Sequence, residues 1–219
     1  MKKISFVAAL GFFLLTQGQA LTPEEIAANV EKKLNSMRSL QAEFENLYYS
    51  MSVSLPLREK GIFYFKRPDR MRWEYKEPEK KLFLFKEGTF LFYIPEENQL
   101  IRSRTFKEGY ESGILALLGG RQSLRDNYRI ELNAFPTENK KVHQIKLTPR
   151  AEGEFSYILL EIDASNWLIL KAIFFDWAGN KQEFRFSRIR IDVPLPSNLF
   201  DLEVPPGCEI IDDEDLIKK

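Results

Sequence analysis

Residues Lys60–Pro95 read KGIFYFKRPDRMRWEYKEPEKKLFLFKEGTFLFYIP. Turn-forming clusters at Arg67-Pro68-Asp69, Glu77-Pro78-Glu79 and Lys86-Glu87-Gly88 divide the stretch into four short strands. In the second, Met71, Trp73 and Tyr75 alternate strictly with Arg70, Arg72, Glu74 and Lys76, the period of a half-buried strand. In the first, Gly61, Phe63, Phe65 and Arg67 share one face, and Ile62, Tyr64 and Lys66 share the other. Leu82–Phe85 and Phe90–Ile94 are apolar on both faces, so their inward residues cannot be assigned by alternation. Such a meander carries more aromatic area than one sheet face needs. We read it as the wall of an apolar cavity, with Arg67 at the lip.

Outward from this stretch, the strand rhythm continues in both directions. Ala42, Phe44, Asn46 and Tyr48 alternate with Glu43, Glu45, Leu47 and Tyr49 along a preceding strand, and a loose turn covers Ser50–Arg58. Downstream strands are expected at Gln99–Arg104, Arg129–Ala134, Lys141–Leu147, Tyr157–Asp163, Ile169–Phe175 and Gln182–Ile191, with room for a short one near Cys208–Ile211. No helices intervene between most of them, so neighbours should pair antiparallel. The expected fold is mainly β: a curved antiparallel sheet of about eleven strands, curling into an incomplete barrel closed by helices.

The clearest helix is Leu21–Leu40. Thr22, Pro23 and Glu25 make a capping box with proline in the first turn, and Ile26, Val30, Leu34, Met37 and Leu40 form one apolar stripe. This helix either lies simply on the sheet or covers a cavity mouth. Tyr110–Asp126 breaks the strand rhythm: Ile114, Leu115, Leu117 and Leu118 form a short greasy helix ended by Gly119-Gly120. A lid and a packed connector fit this insert equally well.

The chain has 219 residues, 32 Lys+Arg against 32 Asp+Glu and 44% hydrophobic residues. That balance supports a core and gives no field that would attract nucleic acid. Lys2 and Lys3, the apolar run Val7–Leu15 and the small residues Gly18 and Ala20 make residues 1–20 a cleavable export signal; the rest, 21–219, is expected to be one domain in the bacterial periplasm. Cys208 has no partner for a disulfide and is read as a small buried hydrophobe. His143 stands alone among Lys and Gln in a strand, without the companions of a metal site or a catalytic triad. There is no P-loop and no Gly-x-Ser-x-Gly elbow. The reading is therefore a binding protein, not an enzyme, with no cofactor and no metal.

Taken in order, Gly61-x-Phe-x-x-Lys-Arg-Pro-x-x-Met-Arg-Trp-x-Tyr75, Pro78, Gly88-x-x-Leu-x-Tyr-x-Pro95, Asp176-x-x-Gly-Asn, Phe184-x-Phe186 and Pro206-Gly207 resemble the LolA family of periplasmic lipoprotein carriers. The resemblance runs over Leu21–Ile211. It implies an unclosed antiparallel half-barrel lidded by helices. It also implies a monomeric shuttle with three kinds of partner: acylated lipoproteins, an inner-membrane ABC exporter complex and an outer-membrane lipoprotein receptor. On that resemblance Arg67 is the gate that holds the lid shut through lid carbonyls. Met71 matches a large apolar position concerned with the exporter. Trp73 matches the motif Trp, in core packing or lipid contact. Leu34 and Ile114, Leu117 and Leu118 lie on lid helices, and Phe63, Phe65 and Tyr75 complete the expected acyl-binding set. The chain departs from the family pattern in its richer Phe content and its loose Ser50–Arg58 region.

Energetics constrain such a carrier. Burial contributes about 0.8 kcal/mol per CH₂, so three fully buried acyl chains would reach roughly 35 kcal/mol. Non-covalent binding saturates near about 20 kcal/mol, and cargo held so tightly would not leave. Partial burial under a lid that competes for the same wall gives a usable range. Two alternatives stay open: a carrier of another amphiphile, a glycolipid or phospholipid, and a lipid-sensing interaction domain.

Overall fold

The structure, a computed structural model, describes residues 20–103, 117–118, 123–139 and 141–212. Helix α1 is Pro23–Ser36. Strands β1 (Ser39–Tyr49), β2 (Leu57–Lys66), β3 (Arg70–Glu77), β4 (Lys81–Lys86), β5 (Thr89–Ile94) and β6 (Gln99–Ser103) follow. A one-turn helix α2 (Leu124–Asn127) precedes β7 (Tyr128–Leu132), β8 (Val142–Pro149), β9 (Phe155–Asp163), β10 (Ile169–Asp176), β11 (Lys181–Ile191) and β12 (Glu209–Asp212). All belong to one twelve-stranded sheet in the order β12-β6-β5-β4-β3-β2-β1-β11-β10-β9-β8-β7. The sheet is curved and does not close on itself. Two meanders, β2–β6 and β7–β11, are joined at its centre by the antiparallel pair β1 and β11.

The expected antiparallel pattern holds except at one edge, where β12 runs parallel to β6. The chain reaches that edge over a long return. The 3₁₀ turn Ser197–Phe200 packs on the outer face of β3 and β4, Arg72 donates to the Leu199 carbonyl at 3.0 Å, and Lys86 pairs with Asp201 at 2.6 Å. Phe200 is buried there. This return explains why β4 is apolar on both sides.

Helix α1 starts as its capping box dictates: the Glu25 N–H donates to Thr22 Oγ1 at 3.2 Å, and the Thr22 N–H donates to Glu25 Oε2 at 2.8 Å. Its end lies short of the expected Leu40. Met37 turns to extended backbone, and Ser39 and Leu40 already pair with β2. Asp192 accepts from the Arg38 N–H at 2.7 Å, and Ser39 donates to the Val193 carbonyl at 2.6 Å, pulling the chain into the sheet. Met37 and Leu40 are buried as expected, but as the first inward residues after the helix.

The core lies between α1 and the inner face of the sheet. Ile26, Val30 and Leu34 of α1 pack into one cluster with Phe44, Phe63, Trp73, Ile145, Leu160 and Phe184. Gly61 is required by a close approach: a Cβ built on it would lie 2.1 Å from the Glu74 carbonyl oxygen and 2.7 Å from the Phe44 ring.

Candidate functional site

Cross-strand pairing settles which residues face inward, because directly opposed residues share a face. Phe63 opposes Trp73, which opposes Phe83, which opposes Phe92. Phe65, Met71, Phe85 and Phe90 form the next row, and Gly61, Tyr75 and Lys81 the row on the other side. Leu82 and Leu84 therefore point outward, under the Ser197–Phe200 turn. The inner surface is a continuous wall of rings. Phe63 lies 4.2 Å from Trp73, Phe44 lies 4.9 Å from both Trp73 and Tyr75, and Phe83 stacks on Phe92 at 4.2 Å.

Arg67 stands at one end of this wall, in the turn between β2 and β3. Its Nε donates to the Met37 carbonyl at 3.0 Å, and its Nη2 to the Leu34 carbonyl at 2.7 Å and to Asn35 Oδ1 at 3.0 Å. Its guanidinium also lies 5.6 Å from the Phe65 ring centre. The carbonyls of a last helical turn have no backbone N–H partners within the helix, and a planar cation suits the negative end of the dipole. One side chain thus ties the C-terminus of α1 to the lip of the aromatic wall.

The opposite end is polar. Asn46 donates to Glu59 Oε2 at 3.0 Å, and Lys81 donates to Glu59 Oε1 at 2.9 Å. Burial, reinforced by the Glu59 charge, pushes the Tyr75 phenol well above its usual range.

Of the residues picked from the sequence, Leu34, Phe63, Phe65, Met71, Trp73, Tyr75, Leu117 and Leu118 are all buried in the common cluster. Leu34, Phe63 and Leu118 line the same void, which brings both expected lid segments to one point of the wall. Ile114 lies outside the described residues. The open hollow expected behind the sheet is not found at this point: the void measures about 20 Å³, room for no more than one water. Among the described residues, the wall's own rings, α1, Leu117 and Leu118 fill the space here.

Other expectations resolve differently. Tyr48 faces solvent, because β1 runs past the core at its end. Cys208 is half-exposed beside β12 and not buried. His143 stacks on Trp167 at 5.1 Å, on the inner side of β8. No group of His, Cys, Asp and Glu suited to a metal occurs among the described residues.

A second concavity went unread in the sequence. It lies on the outer face under residues 133–139, holds about 620 Å³ and contains the fully buried Glu161. Glu161 accepts from Asn139 at 2.6 Å and Gln144 at 3.1 Å and pairs with Lys171 at 3.5 Å. Burial pushes its carboxyl up, but those hydrogen bonds, one from Thr137 and the Lys171 charge outweigh it and hold it below the usual range. The alternation of β9 marks Glu161 as outward; only the fold shows that the loop covers it.

Residues 35–203 match the outer membrane lipoprotein carrier protein LolA family. The chain belongs to that family. An outer-membrane lipoprotein carrier protein of Methylococcus capsulatus is 29% identical over 182 residues, covering 83% of this chain and 85% of the relative. One of Dechloromonas aromatica is 25% identical over 178 residues, covering 81% and 83%. Among solved structures, an uncharacterized conserved protein from Thermus thermophilus superposes with a TM-score of 0.57 at 14% identity, covering 86% of this chain and 98% of that one, a likeness of fold alone. The LolA fold accounts for the open sheet and its helical cover. The role at family level is that of a lipoprotein carrier, a binding protein without catalysis. No helix among the described residues is long and apolar enough to cross a membrane.

Proposed function

We propose that this chain is a periplasmic carrier that takes acylated lipoproteins from an inner-membrane ABC exporter and delivers them to an outer-membrane receptor. Residues 1–20 direct its export and are removed, and 21–219 form the carrier domain. It holds its cargo by the acyl chains, against the wall made by Phe63, Phe65, Met71, Trp73 and Tyr75. The lid, α1 with the segment carrying Ile114, Leu117 and Leu118, competes for the same wall.

One observation carries this reading: the hydrogen bonds from Arg67 to the Leu34 and Met37 carbonyls, made at the lip of an aromatic surface far larger than a sheet face requires. With the latch made, the wall is covered by the protein's own apolar side chains. Acyl chains that enter replace those contacts with similar ones, so net affinity is a difference and stays moderate. Arg67 adds to the closed, empty side of that balance and so favours release.

The test is native mass spectrometry of the chain purified from periplasm without detergent. Acylated polypeptides should co-purify. A chain carrying only glycolipid or phospholipid would overturn the lipoprotein reading and leave a carrier of another amphiphile.

A further inference from the structure

Two buried polar atoms on the aromatic wall have no hydrogen-bond partner among the described residues: Trp73 Nε1 and Asn46 Oδ1. Both side chains are almost wholly enclosed, Trp73 at 4% and Asn46 at 2% exposure. Native proteins rarely leave such groups unpaired. The orientation of the Asn46 amide is fixed, because its nitrogen donates to Glu59 Oε2 at 3.0 Å; turned over, it would set oxygen against carboxylate. The free atoms are therefore one donor, the indole N–H, and one acceptor, the amide oxygen.

Both lie beside Phe184. Asn46 opposes Phe184 in the pairing of β1 with β11, and the Phe184 ring lies 5.5 Å from that of Trp73. Phe44, Phe63 and Phe186 surround the same indole, and no ring carries an acceptor for its N–H. A wall meant only to solvate hydrocarbon would need neither polar atom.

We propose that Trp73 and Asn46 form a recognition point for the secondary amide of an N-acylated amino terminus. This rests on the carrier reading above and names the part of the cargo that is read. A trans amide presents C=O and N–H on opposite edges, so it accepts from Trp73 on one side and donates to Asn46 on the other. An ester offers only the acceptor, and an ether-linked alkyl chain offers no carbonyl. Without cargo both protein groups have no partner among the described residues. Loading pairs them, which favours amide-headed chains over equally greasy ones.

The test compares three probes on the full chain by calorimetry: a short peptide with an N-palmitoyl amide, the same peptide with that amide N-methylated, and a hexadecyl ether analogue. The amide probe should bind about tenfold tighter than the ether, with the N-methyl amide between them. Trp73→Phe should bring the amide-to-ether ratio within about twofold, and Asn46→Leu should abolish the difference between the amide and its N-methyl form. Equal affinity for all three probes, or ratios unmoved by both substitutions, would overturn the recognition point and leave the carrier reading standing. If no probe binds, the carrier reading itself falls. The ratios in the unsubstituted chain decide the matter even if a variant fails to fold.

Discussion

The Arg67 guanidinium donates to the Leu34 carbonyl at 2.7 Å, fastening the last turn of α1 to the turn between β2 and β3. The fork also reaches the Met37 carbonyl and Asn35 Oδ1, so one residue holds a carbonyl of the last helical turn and the first one beyond it. Replacing Arg67 with Leu should keep the sheet and loosen the lid. Hydrogen bonds from a charged donor are worth about 1.5–3 kcal/mol each, and solvent at this half-exposed site brings the total for the set to about 2 kcal/mol. Hydrogen exchange in the last two turns of α1 should then quicken roughly thirtyfold. Arg67→Lys should recover only part of the protection, because an ammonium carries its donors on one atom and lacks the planar fork whose Nε and Nη2 reach Met37 and Leu34 separately. Unchanged exchange would remove the latch from the mechanism.

The same variant should load cargo at least as well as the parent and give it up more slowly. In a reconstituted transfer from inner-membrane vesicles to a purified receptor, cargo should accumulate on the Arg67→Leu carrier. Transfer at the parental rate would show that the latch does not govern release.

Gly61 sits where two neighbours leave no room for a side chain. Gly61→Ala would force β3 or the Phe44 ring to move, and Phe44 contacts both Trp73 and Tyr75. A loss of about 3 kcal/mol in denaturant unfolding is expected. A loss below about 1 kcal/mol would mean that the wall yields easily.

Phe200 anchors the return that covers Leu82 and Leu84 from outside. Phe200→Ala should cost about 3–5 kcal/mol, as for other buried aromatics. Lys86→Ala, which removes only the solvent-screened pair with Asp201, should cost far less. Similar losses in the two variants would contradict the packing role.

Glu161 should mark the acid limb of the stability curve. Its folded pKa lies below the unfolded value of about 4.3, so ionised Glu161 stabilises the protein above that pH. The contribution is lost as pH falls through the folded pKa. The difference in melting temperature between the parent and Glu161→Gln should therefore be largest near neutrality and shrink toward pH 3. A difference independent of pH would assign the effect to packing instead of charge.

Much of this was legible in local pattern. The alternation of Met71, Trp73 and Tyr75 marked the inner face correctly, and Thr22 with Glu25 marked the start of α1. What failed did so for want of distant partners. Met37 and Leu40 continue the helical stripe, and only Asp192 and Val193, from the far end of the chain, explain why the helix stops before them. Leu82 and Leu84 read as ambiguous because their cover comes from Ser197–Phe200. Arg67 could be placed at the lip by its parity with Phe63 and Phe65, whereas its grip on Leu34 depends on where α1 lies. The filling of the hollow was invisible too, since a row of aromatic residues has the same pattern whether it faces a void or another ring.

The seam between β1 and β11 sets how the molecule must assemble. Each meander can form from hairpins between near neighbours, but the middle of the sheet joins residues from opposite ends of the chain, Leu40 with Ile191 and Tyr49 with Lys181. Synthesis delivers β1 long before β11, so one side of β1 stays unpaired until nearly the whole chain has emerged. Contacts of this separation make folding slow, and an unpaired strand in waiting invites pairing with other chains. A member of a carrier family thus passes through a stage in which its own central strand is bare.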